Sequence, residues 1–185
     1  MKPKAKKCAV CKTSFIPTKP LQQVCDFGCA IELSLQKRVK LDAQKAKQER
    51  LRHRQAIIKA KSRGQWLKEA QAAFNAYIRR RDNLKPEPRC ISCGAQTGKQ
   101  NAGHYRSVGS APELRFEPLN CHLQCERCNS HLSGNLIMYR KNLLELIGES
   151  ALNWLEGKHE PRKYTIEQLK ALKAEYQAKL KANKS

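Results

Sequence analysis

No run of apolar residues in the 185-residue chain is long enough to cross a bilayer, which excludes a membrane-spanning helix and predicts no membrane partner. Aromatic residues make up only 6%, so one large hydrophobic core cannot organise the whole length. Acidic residues are scarce as well. Sixteen Asp and Glu stand against 37 Lys and Arg, giving a formal net charge of +21 and pointing to a polyanionic partner. Glycine and proline are both absent from residues 30–63, where nothing breaks a helix. The basic start, with Lys2, Lys4, Lys6 and Lys7, leads into no apolar segment, so no secretory signal is expected and the chain should stay in a reducing cytosol. Its length suits one ordinary domain with attachments, or two small modules on a linker.

What the chain has in quantity is cysteine. Eight of the nine fall into close pairs, Cys8/Cys11, Cys25/Cys29, Cys90/Cys93 and Cys125/Cys128, and Cys121 is left over as a bystander. Disulfides do not persist in a reducing compartment, so chance pairing and a redox Cys-x-x-Cys are the alternatives to metal. Four pairs in so short a chain favour metal. Two such turns complete a closed tetrahedral zinc site, and grouping by neighbourhood gives two structural Zn²⁺ sites. One takes Cys8, Cys11, Cys25 and Cys29; the other takes Cys90, Cys93, Cys125 and Cys128. Metal binding then supplies folding free energy that a thin core cannot.

Along the chain, residues 1–29 read as a small zinc module. Residues 30–63 carry eleven Lys/Arg against three Asp/Glu, with sparse apolar positions at Ile31, Leu35, Val39, Leu51 and Ile57. They read as a basic helical arm about 50 Å long, either a solvated linker or an arm that tracks phosphates. Ser62 and Gln65 form a capping box. From there Trp66, Leu67, Ala70, Ala73, Phe74, Tyr77 and Ile78 recur at helical spacing, a stripe expected to pack on the module that follows. Pro86 and Pro88 stop that helix. Residues 136–156 read as two short helices divided near Gly148, and Thr165 with Gln168 caps a last helix to about Ala182, its apolar edge being Leu169, Leu172, Tyr176 and Leu180. The resulting segments are 1–29, 30–63, a core with its packing helices over 64–156, and a C-terminal basic helix over 157–185.

The second set of cysteine pairs encloses residues 94–124, more than a zinc ribbon needs. The insert holds Gly103-His104-Tyr105 and Asn120-Cys121-His122, and the fourth cysteine leads into Asn129-Ser130-His131. The expected layout is a short strand near His104, a loop through Gly109 to Pro112, a second strand near Leu114–Leu119 and a helix from about Cys125. This order of residues resembles the HNH, or ββα-metal, nucleases. Across nearly its whole length the chain resembles the NinG (Rap) recombination proteins of lambdoid phages. The resemblance rests on Phe74-Asn-Ala-Tyr-Ile-Arg-Arg-Arg-Asp82, Cys90-Ile-Ser-Cys93, Ala102-Gly-His-Tyr-Arg106, and Gln124-Cys-Glu-Arg-Cys-Asn129 leading to Ser133-Gly-Asn135.

That resemblance implies a structure-specific endonuclease acting on branched DNA, such as Holliday junctions and D-loops, in the host bacterial cytoplasm. Its fold would be mostly helical α+β: a small zinc-stapled ββα-metal core, an N-terminal zinc module, a long basic helix and C-terminal helices. Phosphodiester hydrolysis needs a base for water and a cation for phosphate charge. The resemblance assigns the base to His104, its orientation to Asn120, and a ligand of catalytic Mg²⁺ or Mn²⁺ to Asn129. His122 and His131 are further ligand candidates; phosphate binding or a helix cap are the alternatives for both. In one respect the chain departs from the pattern. Many HNH enzymes carry Asp or His just before the base, where this chain has Gly103, and His122, His131, Asn101 or water are the candidates to compensate.

Arg106, Arg115, Arg140 and Lys141 are candidate phosphate contacts or ordinary surface charge, and His53 and His159 are expected to face solvent. Symmetric cutting of a four-way junction implies a homodimer, and other phage or host recombination proteins are candidate partners. One rival reading is a non-catalytic zinc-dependent DNA-binding accessory protein, favoured by Gly103. Another is an adaptor that binds a protein partner through its amphipathic helices.

Overall fold

In the computed structural model, which describes residues 4–182, the chain divides after Ala60 into two units. The outermost residues of the first and last predicted segments, 1–3 and 183–185, lie outside the described residues. The chain is α+β and mostly helical, with two small sheets. Among the described residues no helix is long and apolar enough to cross a membrane.

The first unit opens with β1 (Lys6–Lys7) and β2 (Ser14–Phe15), paired antiparallel with Lys6 opposite Phe15. Helix α1 (Phe27–Ala60) follows, 34 residues long. Asp26 Oδ1 accepts the Cys29 N–H at 2.8 Å, satisfying one of the amides that a helix start leaves over. With neither glycine nor proline from residue 30 on, α1 runs unbroken. None of its residues is buried.

In the second unit, α2 (Arg63–Asn83) begins at the predicted capping box. Ser62 Oγ accepts the Gln65 N–H, and Gln65 Oε1 accepts the Ser62 N–H. The helix buries Trp66, Ala70, Ala73, Phe74 and Ile78, which is the predicted stripe. Its main partner, however, is the last helix, α4 (Ile166–Ala182), rather than only the module that follows. Phe74 meets Tyr176 edge-on with ring centroids 4.9 Å apart, and the Tyr176 hydroxyl donates to the Phe116 carbonyl at 3.0 Å. The thin edge of α4 suffices because aromatic rings bury large areas per residue.

Between those helices, β3 (Gln100–His104) pairs antiparallel with β4 (Cys121–Cys125), placing His104 opposite Cys121 and Gly103 opposite His122. The second strand therefore lies after, not within, the predicted stretch Leu114–Leu119. That stretch is a loop with 3-10 turns at Pro112–Leu114 and Pro118–Asn120. Pro112 and Pro118 have no N–H for a ladder and preset φ for a turn.

The helix expected from Cys125 is a single π-helical turn, Arg127–His131. Ser133, Gly134 and Asn135, all at positive φ, then lead into α3 (Leu136–Glu156). At Gly148, where φ is 79°, α3 kinks, as the predicted division requires. A second cluster joins Tyr139, Leu143, Leu152 and Leu155 of α3 to Ala111 and Leu114 of the loop. His159, expected in solvent, is half-buried against Trp154, with ring centroids 4.8 Å apart. His53 is exposed.

Candidate functional site

Cysteine geometry comes first because it fixes everything else at the site. The sulfurs of Cys8, Cys11, Cys25 and Cys29 all lie within 4.8 Å of one another, and so do those of Cys90, Cys93, Cys125 and Cys128. Four thiolates about 2.3 Å from one ion sit a little under 4 Å apart, so both groups fit tetrahedral Zn²⁺. Asn135 Nδ2 lies 3.5 Å from Cys128 Sγ, a supporting contact of the kind that orients a ligand. The second group ties the Cys90 turn, the end of β4 and the π turn together.

In an antiparallel pair, directly opposed residues share a face. His104, Cys121, Ala102 and Leu123 thus lie on one face of the hairpin, and Gly103, His122, Asn101 and Gln124 on the other. The first face packs on α2, and the His104 ring lies 5.9 Å from that of Phe74. His104 Nε2 sits 3.0 Å from the Arg115 carbonyl, which places the ring proton on Nε2 and leaves the lone pair on Nδ1. Nδ1 lies 3.6 Å from the Cys121 thiol. Burial holds the His104 pKa below the usual imidazole value, so the ring is neutral at pH 7.

Asn120 is fully buried and spends its amide on backbone. Its Oδ1 accepts the Arg106 N–H at 2.8 Å, and its Nδ2 donates to the carbonyls of Arg106 and Leu114 at 3.0 and 3.2 Å. It thereby pins both ends of the loop whose next residue, Arg115, holds His104.

Asn129, in the middle of the π turn, is half-buried. Such turns are rare and cluster at functional sites. His104 and Asn129 line one cleft of about 540 Å³, together with Arg106, Ser110, Ser133 and Gly134.

His122 is placed elsewhere, against a separate cavity. It is buried, its Nε2 lies 3.0 Å from the Leu119 carbonyl and its Nδ1 lies 3.1 Å from the Arg81 guanidinium. Burial, and secondarily the Arg81 charge, push its pKa down to about 4. Both of its nitrogens are engaged within the fold. His131, at the end of the π turn, is exposed. Of the basic candidates, Arg106 donates to the carbonyls of Leu155 and Glu156 at the end of α3, Arg115 to Gln71, and Arg140 to Glu156.

Three features stand in the stretches that carry the resemblance but have no role assigned from the sequence. Asp82, at the end of the helical stripe, is buried between the Arg81 guanidinium and the Leu123 N–H. Ser133-Gly134-Asn135 aims the Gly134 carbonyl at Gln124 Nε2, 2.6 Å away. Gln124 itself is fully buried, and its Oε1 accepts no hydrogen bond from any described residue. Gln124 opens the Gln124–Asn129 stretch, but nothing in the sequence shows that its amide is buried with an oxygen left over.

A protein family described as "Bacteriophage Lambda NinG protein" matches residues 1–185. Among curated proteins, the chain is 41% identical over 197 residues to Protein ninG of Escherichia phage lambda, covering 97% of this chain and 94% of that protein. It is 42% identical over 186 residues to Protein ninG of Salmonella phage P22, covering 92% and 89%. A third relative, Protein ninG of Escherichia phage 933W, is 40% identical over 195 residues, covering 97% and 94%. No solved structure matches the chain.

Proposed function

Because this chain belongs to the bacteriophage NinG family, we propose that it is a structure-specific DNA endonuclease of the HNH type, cutting branched recombination intermediates such as Holliday junctions and D-loops. One observation carries the reading: His104, whose imidazole is neutral, and Asn129, which offers an amide oxygen, are both among the residues lining a single cleft beside a strand pair clipped by four cysteines. The succession of strand, strand and helical turn supports this reading, because a ββα-metal core would need that order.

His104 is neutral at pH 7, the state a general base requires, and the Arg115 carbonyl fixes its ring. Nδ1, whose nearest polar neighbour is only a weak thiol donor, would take the proton of the attacking water. Asn120 holds the loop that supplies the carbonyl. Asn129 would hold Mg²⁺ or Mn²⁺, which supplies positive charge for the phosphate and the leaving oxygen. Its oxygen donor suits such a hard cation, whereas the four-sulfur groups suit zinc.

Affinity would come from α1, where nine Lys/Arg face three Asp/Glu with no side chain buried. Phosphate contacts along such an arm read shape rather than base sequence, as a junction enzyme needs. Paired cuts across a four-way junction require two active sites, so the reading includes a homodimer acting in the host cytoplasm.

A second reading, a DNA-binding accessory protein without catalysis, is favoured by the contacts of His104, both of whose ring nitrogens face protein groups. Incubating the zinc-loaded protein with four-way junction and linear duplex DNA separates the two. Nicking of the junction in Mg²⁺ or Mn²⁺, abolished by EDTA, is the expected result. Tight junction binding with no nicking in either ion would leave the accessory reading.

A further inference from the structure

We infer that Gln124 supplies the cation ligand that position 103 lacks, its Oε1 joining Asn129 Oδ1 to form the protein side of a Mg²⁺ or Mn²⁺ site. The inference rests on the nuclease reading for its purpose, but on separate observations for its geometry.

A Cβ built on Gly103 would lie 2.1 Å from Gln124 Oε1 and 3.0 Å from Asn129 Oδ1. Any side chain at 103 would therefore collide with the Gln124 amide, and the two amide oxygens lie within about 5 Å of each other. The Gln124 oxygen occupies the volume through which a residue-103 carboxylate or imidazole would reach a cation beside Asn129. Glycine at 103 and glutamine at 124 thus act as a compensating pair.

The orientation of that amide is set by its other end. Nε2 donates to the Gly134 carbonyl at 2.6 Å and to Ser92 Oγ at 2.7 Å. A carbonyl can only accept, so the nitrogen must face Gly134 and the oxygen must face Gly103. Ser133, Gly134 and Asn135 hold backbone at positive φ to present that carbonyl, a strained conformation for the two non-glycine residues.

Gln124 Oε1 is nonetheless left without a donor, although the residue is fully buried. An orphaned buried amide oxygen is costly, and a hard cation that seeks oxygen ligands removes that deficit. Asn129 and Gly134 line the cleft, so the amide is anchored to the cleft wall itself.

The test uses the full-length, zinc-loaded protein and Mn²⁺ as the probe, with binding followed by loss of the free-ion EPR signal. Gln124→Ala should weaken Mn²⁺ binding about tenfold or more, while retaining two zinc ions per chain. Gln124→Gly combined with Gly103→Asp, which also clears the Gln124 Cβ that lies 2.9 Å from a Cβ built on Gly103 and moves the oxygen donor to position 103, should restore it. In the unaltered protein, Mg²⁺ should shift the Gln124 side-chain amide NMR signals together with those of Asn129, a readout that needs no variant to fold.

Equal Mn²⁺ affinity in Gln124→Ala, or a Gln124 amide unmoved by Mg²⁺ while Asn129 shifts, would overturn the inference. Junction nicking by the unaltered protein would then still stand for the nuclease reading. Absence of both Mn²⁺ binding and nicking would remove that reading and the site together.

Discussion

His122 and Gln124 sit two residues apart on one strand face, and both are buried, yet they carry opposite hydrogen-bond accounts. The imidazole has a partner at each nitrogen; the amide has a donor pair satisfied and an oxygen left over. For His122 the consequence is a pH dependence of stability. Burial, with the charges of Arg81 and Lys85 outweighing the opposing Asp82 carboxylate, lowers its pKa to about 4 in the fold, against about 6.5 in the unfolded chain, so the unfolded state binds the proton first. Its contribution is fully present above pH 6.5 and is lost as pH falls toward 4, by about 3 kcal/mol. Denaturant titrations of the protein and of His122→Gln between pH 7.5 and 4.5 check this: the difference between the two curves should carry that slope, and parallel curves would refute it. The pairing of the cysteines was legible because close spacing leaves few ways to surround an ion. Whether a histidine in such a motif faces a cleft or a guanidinium was not, since Arg81 and Asp82 reach His122 from a helix forty residues away.

Helix α1 makes its argument through charge. The absence of glycine and proline from residue 30 to its end, and its lack of buried side chains, were readable directly, as were the caps at Ser62 and Thr165, because those patterns are local. Replacing Lys45, Lys47, Arg50 and Arg54 of α1 with glutamine should weaken junction binding and reduce the slope of log affinity against log salt by about 3–4. Binding isotherms between 50 and 200 mM salt measure that slope directly. An unchanged slope would show that the arm does not touch phosphate and would favour the adaptor reading. The second strand was misplaced by several residues for an equally physical reason. Leu114-Arg115-Phe116 alternates as a strand would, but Phe116 and Leu114 pack into two different clusters, and flanking prolines fold the stretch into turns.

On the scale of the whole chain, the two units differ in what holds them. Among the described residues of the first, Cys8 alone is buried, whereas the second has two hydrophobic clusters, one of them rich in aromatic rings. Zinc should therefore be indispensable to residues 4–26 and only locally so beyond Ala60. Two zinc ions per chain are expected. Cys8→Ser with Cys11→Ser should halve that count and collapse the amide signals of residues 4–26, while the signals of the α2–α4 core persist; their joint loss would contradict this division. The apolar edge of the last helix is legible in its sequence, but its partner is not, since no linear pattern reveals that α2 buries Leu169 and Tyr176. The proposed function requires the clipped hairpin to hydrolyse phosphodiesters through His104. Single-turnover cleavage of a four-way junction by the zinc-loaded protein, set against His104→Ala, decides it. The variant should bind the junction with unaltered affinity while its nicking rate falls at least a hundredfold; nicking at the parental rate would rule out His104 as the base.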